Sequence, residues 1–96
     1  MGLAVYVENQ LHERVEQLFD DLQETFMKSC ETAPNGSIRR GVDRYGDTML
    51  NGYQLHLLID ELERLPADSR TETMRRIIEA ARHAIRLRGY LYFVGD

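Results

Sequence analysis

"DRYGDTMLNGYQ", residues 43–54, holds the choice on which the fold turns. Asn51-Gly52 is the strongest short-range signal for a two-residue hairpin, because a type I′ turn needs positive φ at both central positions. Its flanks are "DTML" and "YQLHLL", and the second alternates. Further on, Leu55, Leu58, Ile59, Leu62 and Leu65 recur at three- and four-residue steps up to Pro66, the stripe of an amphipathic helix. A hairpin would leave "IDELERL" without a role. The spacing therefore predicts a helix of roughly eighteen residues, capped by Asp47 or Thr48 and stopped by Pro66. Gly52 inside it costs ~1 kcal/mol of propensity, which hints at a close approach to that residue.

Two runs at opposite ends of the chain, "LAVYV" (residues 3–7) and "YLYFV" (Tyr90–Val94), are apolar at every position. They read as strands buried on both faces and as central neighbours in one sheet. After the first, Asn9 can cap a helix whose stripe is Leu11, Val15, Leu18, Phe19, Leu22 and Phe26, running to Lys28 or Cys30. Pro34-Asn35-Gly36-Ser37 is a turn, and residues 38–42 suggest a short irregular strand. Ser69-Arg70-Thr71-Glu72 is a capping box before Met74, Ile77, Ile78, Ala81 and Ile85, with Gly89 as the C′ residue. The expectation is one α+β domain over residues 1–96. Its small sheet has the N- and C-terminal strands central, packed by three helices, in the order β-α-(β)-α-α-β.

Composition narrows the function classes. The 96 residues are 43% hydrophobic and 29% charged, an ordinary globular balance. Cys30 is the single cysteine, so neither an internal disulfide nor a cysteine zinc site can form, and it reads as a small buried residue. No stretch approaches the ~20 apolar residues of a membrane span, and Glu8 interrupts any leader-like run, so a cytoplasmic protein is expected. The net charge of −4 makes nucleic-acid binding an unlikely main role. That charge is unevenly spread. Residues 1–31 carry seven acids against Arg14 and Lys28; residues 69–90 carry six arginines against Glu72 and Glu79. Side-by-side helices would neutralise one another, whereas separated faces would serve partners. On the first helix Glu13, Glu16, Asp20 and Glu24 would form a negative ridge suited to a basic protein partner.

The polar residues Asp43, Tyr45, Asp47, Thr48, Asn51 and Gln54 are the other candidate site. An EF-hand loop starting at Asp43 fails, since Tyr45 falls where a ligand is needed and glycine comes too early; no metal is assigned. Asp43 and Asp47 are spaced as an acid/base pair could be, but no nucleophile accompanies them. His12, His56 and His83 are dispersed, and the glycines do not make a P-loop. The cluster reads first as a polar network tying a loop to a helix, and second as a ligand site at the positive end of that helix. No catalytic residue and no cofactor is expected.

"VDRYGDTMLNGYQ", "LIDELERL" and the terminal "YFVGD" together resemble a group of small bacterial proteins. Their pattern is Asp-x-Tyr-Gly-Asp-Thr-x-x-Asn-x-x-Gln before a Leu/Glu-rich helix. The resemblance spans residues 42–96, and Gly52 departs from the larger residue of that group. It implies a bacterial or phage source and supports the helix over the hairpin, but carries no activity. The leading expectation is a non-catalytic protein-interaction module: an inhibitor, immunity-type or regulatory partner. The alternative is a small-molecule or divalent-metal-binding domain using the 43–54 cluster. A stand-alone enzyme is disfavoured, because a chain this short has little room for a pocket beside its core. The partner would be another protein, and self-association remains open.

Overall fold

The computed structural model describes residues 2–96. In chain order they form β1 (Ala4–Glu8), β2 (Arg14–Phe19), α1 (Thr25–Glu31), β3 (Asp47–Leu50), α2 (Gly52–Glu63), α3 (Glu72–Arg86) and β4 (Tyr90–Val94). The strands make one antiparallel sheet in the order β2-β1-β4-β3. The terminal strands are thus the central pair, with Ala4 opposite Val94 and Glu8 opposite Tyr90. The class is α+β, with three helices packed on the sheet.

Side-chain alternation decides what each face of the sheet does. Val5, Val7, Leu91 and Phe93 are fully buried and meet the helices; Phe26 of α1 stacks on Phe93 at 5.6 Å. Leu55, Leu58 and Leu62 of α2 and Met74, Ile77 and Ala81 of α3 complete this core. The intervening residues Ala4, Tyr6, Tyr90, Tyr92 and Val94 are only half-buried. The expectation of burial on both faces is therefore corrected. An all-apolar strand can also arise where one face packs on helices and the other carries tyrosines that partly cover each other.

The helix expected from Leu11 to about Lys28 is instead a strand and a short helix. Asn9 does act as a cap, but of a tight turn: its Oδ1 accepts from Leu11 N–H (2.9 Å) and Glu13 N–H (3.0 Å), with His12 at φ 63°. That turn folds β2 back onto β1. α1 waits for Thr25, because Asp20 accepts N–H from Phe26 (3.1 Å) and Met27 (2.9 Å) and Asp21 accepts from Thr25 N–H (2.9 Å).

At residues 43–54 the helix wins over the hairpin, but it starts later than expected. Asn51 is the N-cap: its Oδ1 accepts Gln54 N–H (3.0 Å), and Gln54 Oε1 accepts Asn51 N–H (2.9 Å). Gly52 is the first helical residue, and a Cβ there would meet nothing within 4 Å, so no close approach explains it. Residues 47–50, placed in the helix by the sequence, are strand β3. Residues 38–42 are not a strand. A 3-10 turn at Arg39–Gly41 is held by Glu61 of α2, which accepts N–H from Ile38 (2.7 Å) and Arg39 (3.2 Å). α3 is capped by Thr71 rather than Ser69. Its end is a Schellman turn, with Arg88 N–H to Ile85 O (3.0 Å) and Gly89 N–H to Ala84 O (2.9 Å), and the left-handed residue is Arg88 (φ 56°). Gly89 serves a different need: a Cβ there would lie 1.8 Å from the carbonyl oxygen of Glu8.

Candidate functional site

The four acids expected to make one ridge are separated by the fold. Glu13 closes the β1–β2 turn through Asn9 Nδ2 (2.8 Å). Glu16 lies on β2 and approaches His83 Nδ1 of α3 (2.9 Å). Asp20 caps α1 and is half-buried; burial raises its carboxyl above the usual range despite the backbone donors. Glu24 precedes α1 at φ 58° and accepts from Arg44 Nη1 (2.9 Å). Arg44 also grips Glu31 through Nε and Nη2, each at 2.7 Å, and holds that carboxyl below its usual range. Of the N-terminal acids, Glu16, Glu24 and Glu31 meet basic groups from later in the chain, His83 and Arg44, whereas Arg75 and Arg82 of residues 69–90 pair elsewhere.

The polar residues 43–54 resolve into three local devices. Asp43 Oδ1 accepts Tyr45 N–H (2.9 Å) while Asp43 N–H donates to Thr48 Oγ1 (3.1 Å), which closes the loop before β3. Asp47 is not a cap; its Oδ2 accepts the Tyr92 hydroxyl (3.0 Å), which raises the Tyr92 phenol above its ordinary value. Asn51 and Gln54 cap α2. The loop is pinned by the chain end as well: Gly95 N–H reaches Gly46 O (2.8 Å), Asp96 N–H reaches Arg44 O (2.9 Å), and a Cβ on Gly95 would sit 2.2 Å from that Arg44 oxygen. The two parts of the sequence pattern, Asp-x-Tyr-Gly-Asp-Thr and the terminal Gly-Asp, are therefore contiguous in space. Among the described residues no group of three or more His, Cys, Asp or Glu is placed to hold a metal ion.

The helix-free face of the sheet was not singled out from the sequence. Tyr6 of β1 and Tyr90 and Tyr92 of β4 lie in adjacent rows, flanked by Phe19 (58% exposed) on β2 and Met49 (46% exposed) on β3. Arg14 places its guanidinium 3.8 Å from the Tyr6 ring centroid and 5.6 Å from that of Tyr92. Such a contact contributes about 0.5–1 kcal/mol at an exposed site. His12 stacks on Tyr90 with centroids 4.4 Å apart. Beneath them Glu8 is buried (4% exposed) between His12 Nδ1 (3.0 Å) and Arg14 Nε (3.6 Å), so the face carries little net charge. The period of two in Tyr90 and Tyr92, with Tyr6 on the partner strand, is the signal that could have found it.

A groove of about 700 Å³ lies between β2 and α3, lined in part by Leu18, Ile78, Arg75 and Arg82. Its charges compensate one another, Arg75 with Glu72 and Arg82 with Glu63 and Glu79. Comparison with protein-family models, with curated proteins and with solved structures finds no match to this chain. No helix among the described residues is long and apolar enough to cross a membrane.

Proposed function

We propose that this chain is a non-catalytic protein-interaction module of the inhibitor, immunity or regulatory kind, which receives its partner on the helix-free face of the sheet. The supporting observation is the make-up of that face. Tyrosine, phenylalanine, methionine and arginine are the types enriched at the buried centres of interfaces, and here Tyr6, Tyr90, Tyr92, Phe19, Met49 and Arg14 supply them in one layer. Tyrosines held on strands offer large contact area at small entropic cost. The net charge of −4 favours encounter with a basic protein, with Glu13, Glu16, Asp20 and Glu24 adding to the long-range field rather than forming a ridge. A bacterial or phage source fits the sequence resemblance. The competing ligand or divalent-metal reading of residues 43–54 is weakened because Asp43, Asp47, Asn51 and Gln54 already serve local hydrogen bonds.

The test is affinity capture from the source cells with three baits: the parent, a Met49→Lys/Tyr92→Ser variant, and an Arg75→Glu/Arg76→Glu variant of α3. Support is a protein retained by the parent and the α3 variant and lost by the sheet-face variant. A protein held equally by the sheet-face variant, or lost only with the α3 variant, contradicts the proposal.

A further inference from the structure

The groove of about 700 Å³ between β2 and α3 lies on the helix-covered side of the sheet, where Glu16 of β2 meets His83 of α3 and Leu18 is buried. Its size falls within the ~300–1,000 Å³ of small-molecule sites. Leu18, Ala67 and Ile78 give it an apolar lining. Its charged groups cancel in sum but not in place. Toward the start of α3 stand Arg70, Arg75 and Arg76 against Glu72 alone, three positive charges against one negative. At the level of Arg82 and His83 stand Glu16, Glu63 and Glu79 against Arg82 alone, three negative charges against one positive while His83 is neutral. Among the described residues no ion pair or hydrogen bond engages the guanidinium of Arg70 or Arg76. The pairs Arg75–Glu72 and Arg82–Glu79 are exposed and weak, so a ligand's charges can share or displace them.

We infer that this groove binds a short linear peptide of about three residues with both termini free. Its carboxylate lies at Arg70 and Arg76, its ammonium at Glu16 and Glu79, and an apolar central side chain rests on Leu18 and Ile78. Charge placement selects this occupant. A simple anion would meet the acids beside Arg82, and a simple cation would meet the arginines at the start of α3. A ligand with both charges, set the right distance apart, is matched at each end. α3 fixes that distance: Glu79 follows Glu72 by two helical turns, about 10 Å. Three residues of extended chain span about the same length, and a free amino acid does not reach both ends. The planar guanidinium groups suit a terminal carboxylate, which they can grip in a fork. The tyrosine face lies on the other side of the sheet, and a ligand this small is not a protein that affinity capture would retain. The groove can therefore hold or fail independently of the function proposed above.

The experiment is a nuclear magnetic resonance titration of the full chain at low salt, following backbone amides. The probes are the tripeptide Ala-Leu-Ala, its N-acetylated form and its C-terminal amide. The free tripeptide is expected to give saturable shifts at Leu18 and along residues 75–82. Blocking either end should raise Kd by up to about fivefold, the factor an exposed charge pair supplies, and added salt should narrow the difference. Arg70→Gln/Arg76→Gln should weaken the free tripeptide by a similar factor and remove the penalty for the C-terminal amide, while the penalty for N-acetylation stays. Both arginines are exposed, so this variant should keep the parent spectrum away from the groove. Four results would each overturn the inference. They are no saturable shift with the free tripeptide at about 10 mM, shifts confined to another surface, blocked peptides that bind as tightly as the free one, and a double variant that binds like the parent.

Discussion

Replacing Asn51 by alanine should cost more stability than replacing Asp47, although the sequence offers Asp47 or Thr48 as the cap. In the structure Asn51 Oδ1 receives Gln54 N–H at 3.0 Å, one of the helix donors that has no partner inside α2. Loss of such a cap costs ~1 kcal/mol, within a range of about 0.5–2. For a domain of this size that lowers Tm by roughly 4–8 °C. Gln54→Ala removes the reciprocal bond to Asn51 N–H, so the double variant should cost less than the two single changes added together. Asp47→Ala removes only an exposed bond from Tyr92, and its effect should stay within about 0.5 kcal/mol. It should also return the Tyr92 phenol toward its ordinary value of ~10, which ultraviolet titration of tyrosinate reads directly. Urea melts of the parent and the four variants give the energies. An Asp47→Ala cost equal to or larger than that of Asn51→Ala would refute the late start of α2 and the existence of β3.

Gly52→Ala should stabilise the protein by about 0.4–1 kcal/mol through the unfolded chain, since a Cβ there meets nothing. Gly89→Ala drives a Cβ against the Glu8 carbonyl and should cost about 1–3 kcal/mol or more, read from the same melts. Burial pushes the Cys30 thiol up to about 12, so disulfide reagents at about pH 8 should leave it unmodified in the native protein and label it at once in denaturant. Glu31 is held below its usual range by the hydrogen bonds from Arg44, so its contribution is present above the unfolded value of ~4.3 and is lost as pH falls through the folded one. Arg44→Gln should therefore flatten the acid limb of stability measured between about pH 5 and pH 2.

The sequence carried the terminal strands, the core stripes of α2 and α3, and the α+β class, because each rests on a long apolar pattern, although the terminal strands bury one face fully and the other only in part. It failed where two local signals competed. Leu11, Val15, Phe19 and Leu22 sit at helical spacing, yet Asn9 and Glu13 close a turn that sends Val15 and Phe19 into an edge strand, with Leu11 and Leu22 in the turns on either side of it. Tertiary pairing with β1 overrode the period, and the apolar residues that a helix would have buried stayed exposed. At residues 47–51 the cap chemistry of Asp47 and Thr48 was plausible locally, but Asn51 with Gln54 satisfies two donors rather than one. Of the candidate residues, the 43–54 cluster stands out in the sequence, but its partners do not: Asp47 bonds Tyr92 instead of capping α2, and the cap is Asn51 with Gln54. The tyrosine face needs the sheet order to become visible. Tyr6 and Tyr92 are far apart in the chain and meet only because β1 and β4 pair.

The claim on which the proposed function depends is that one face of the sheet is uncovered. Nuclear magnetic resonance with a soluble paramagnetic co-solute measures this residue by residue. Side-chain signals of Phe19, Met49, Tyr6 and Tyr92 should broaden strongly, as should those of exposed Leu22, while Phe93, Leu91 and Val5 stay sharp. Protection of Met49 and Tyr92 to the level of Phe93 would contradict the account, because the face would then already be filled by the chain itself.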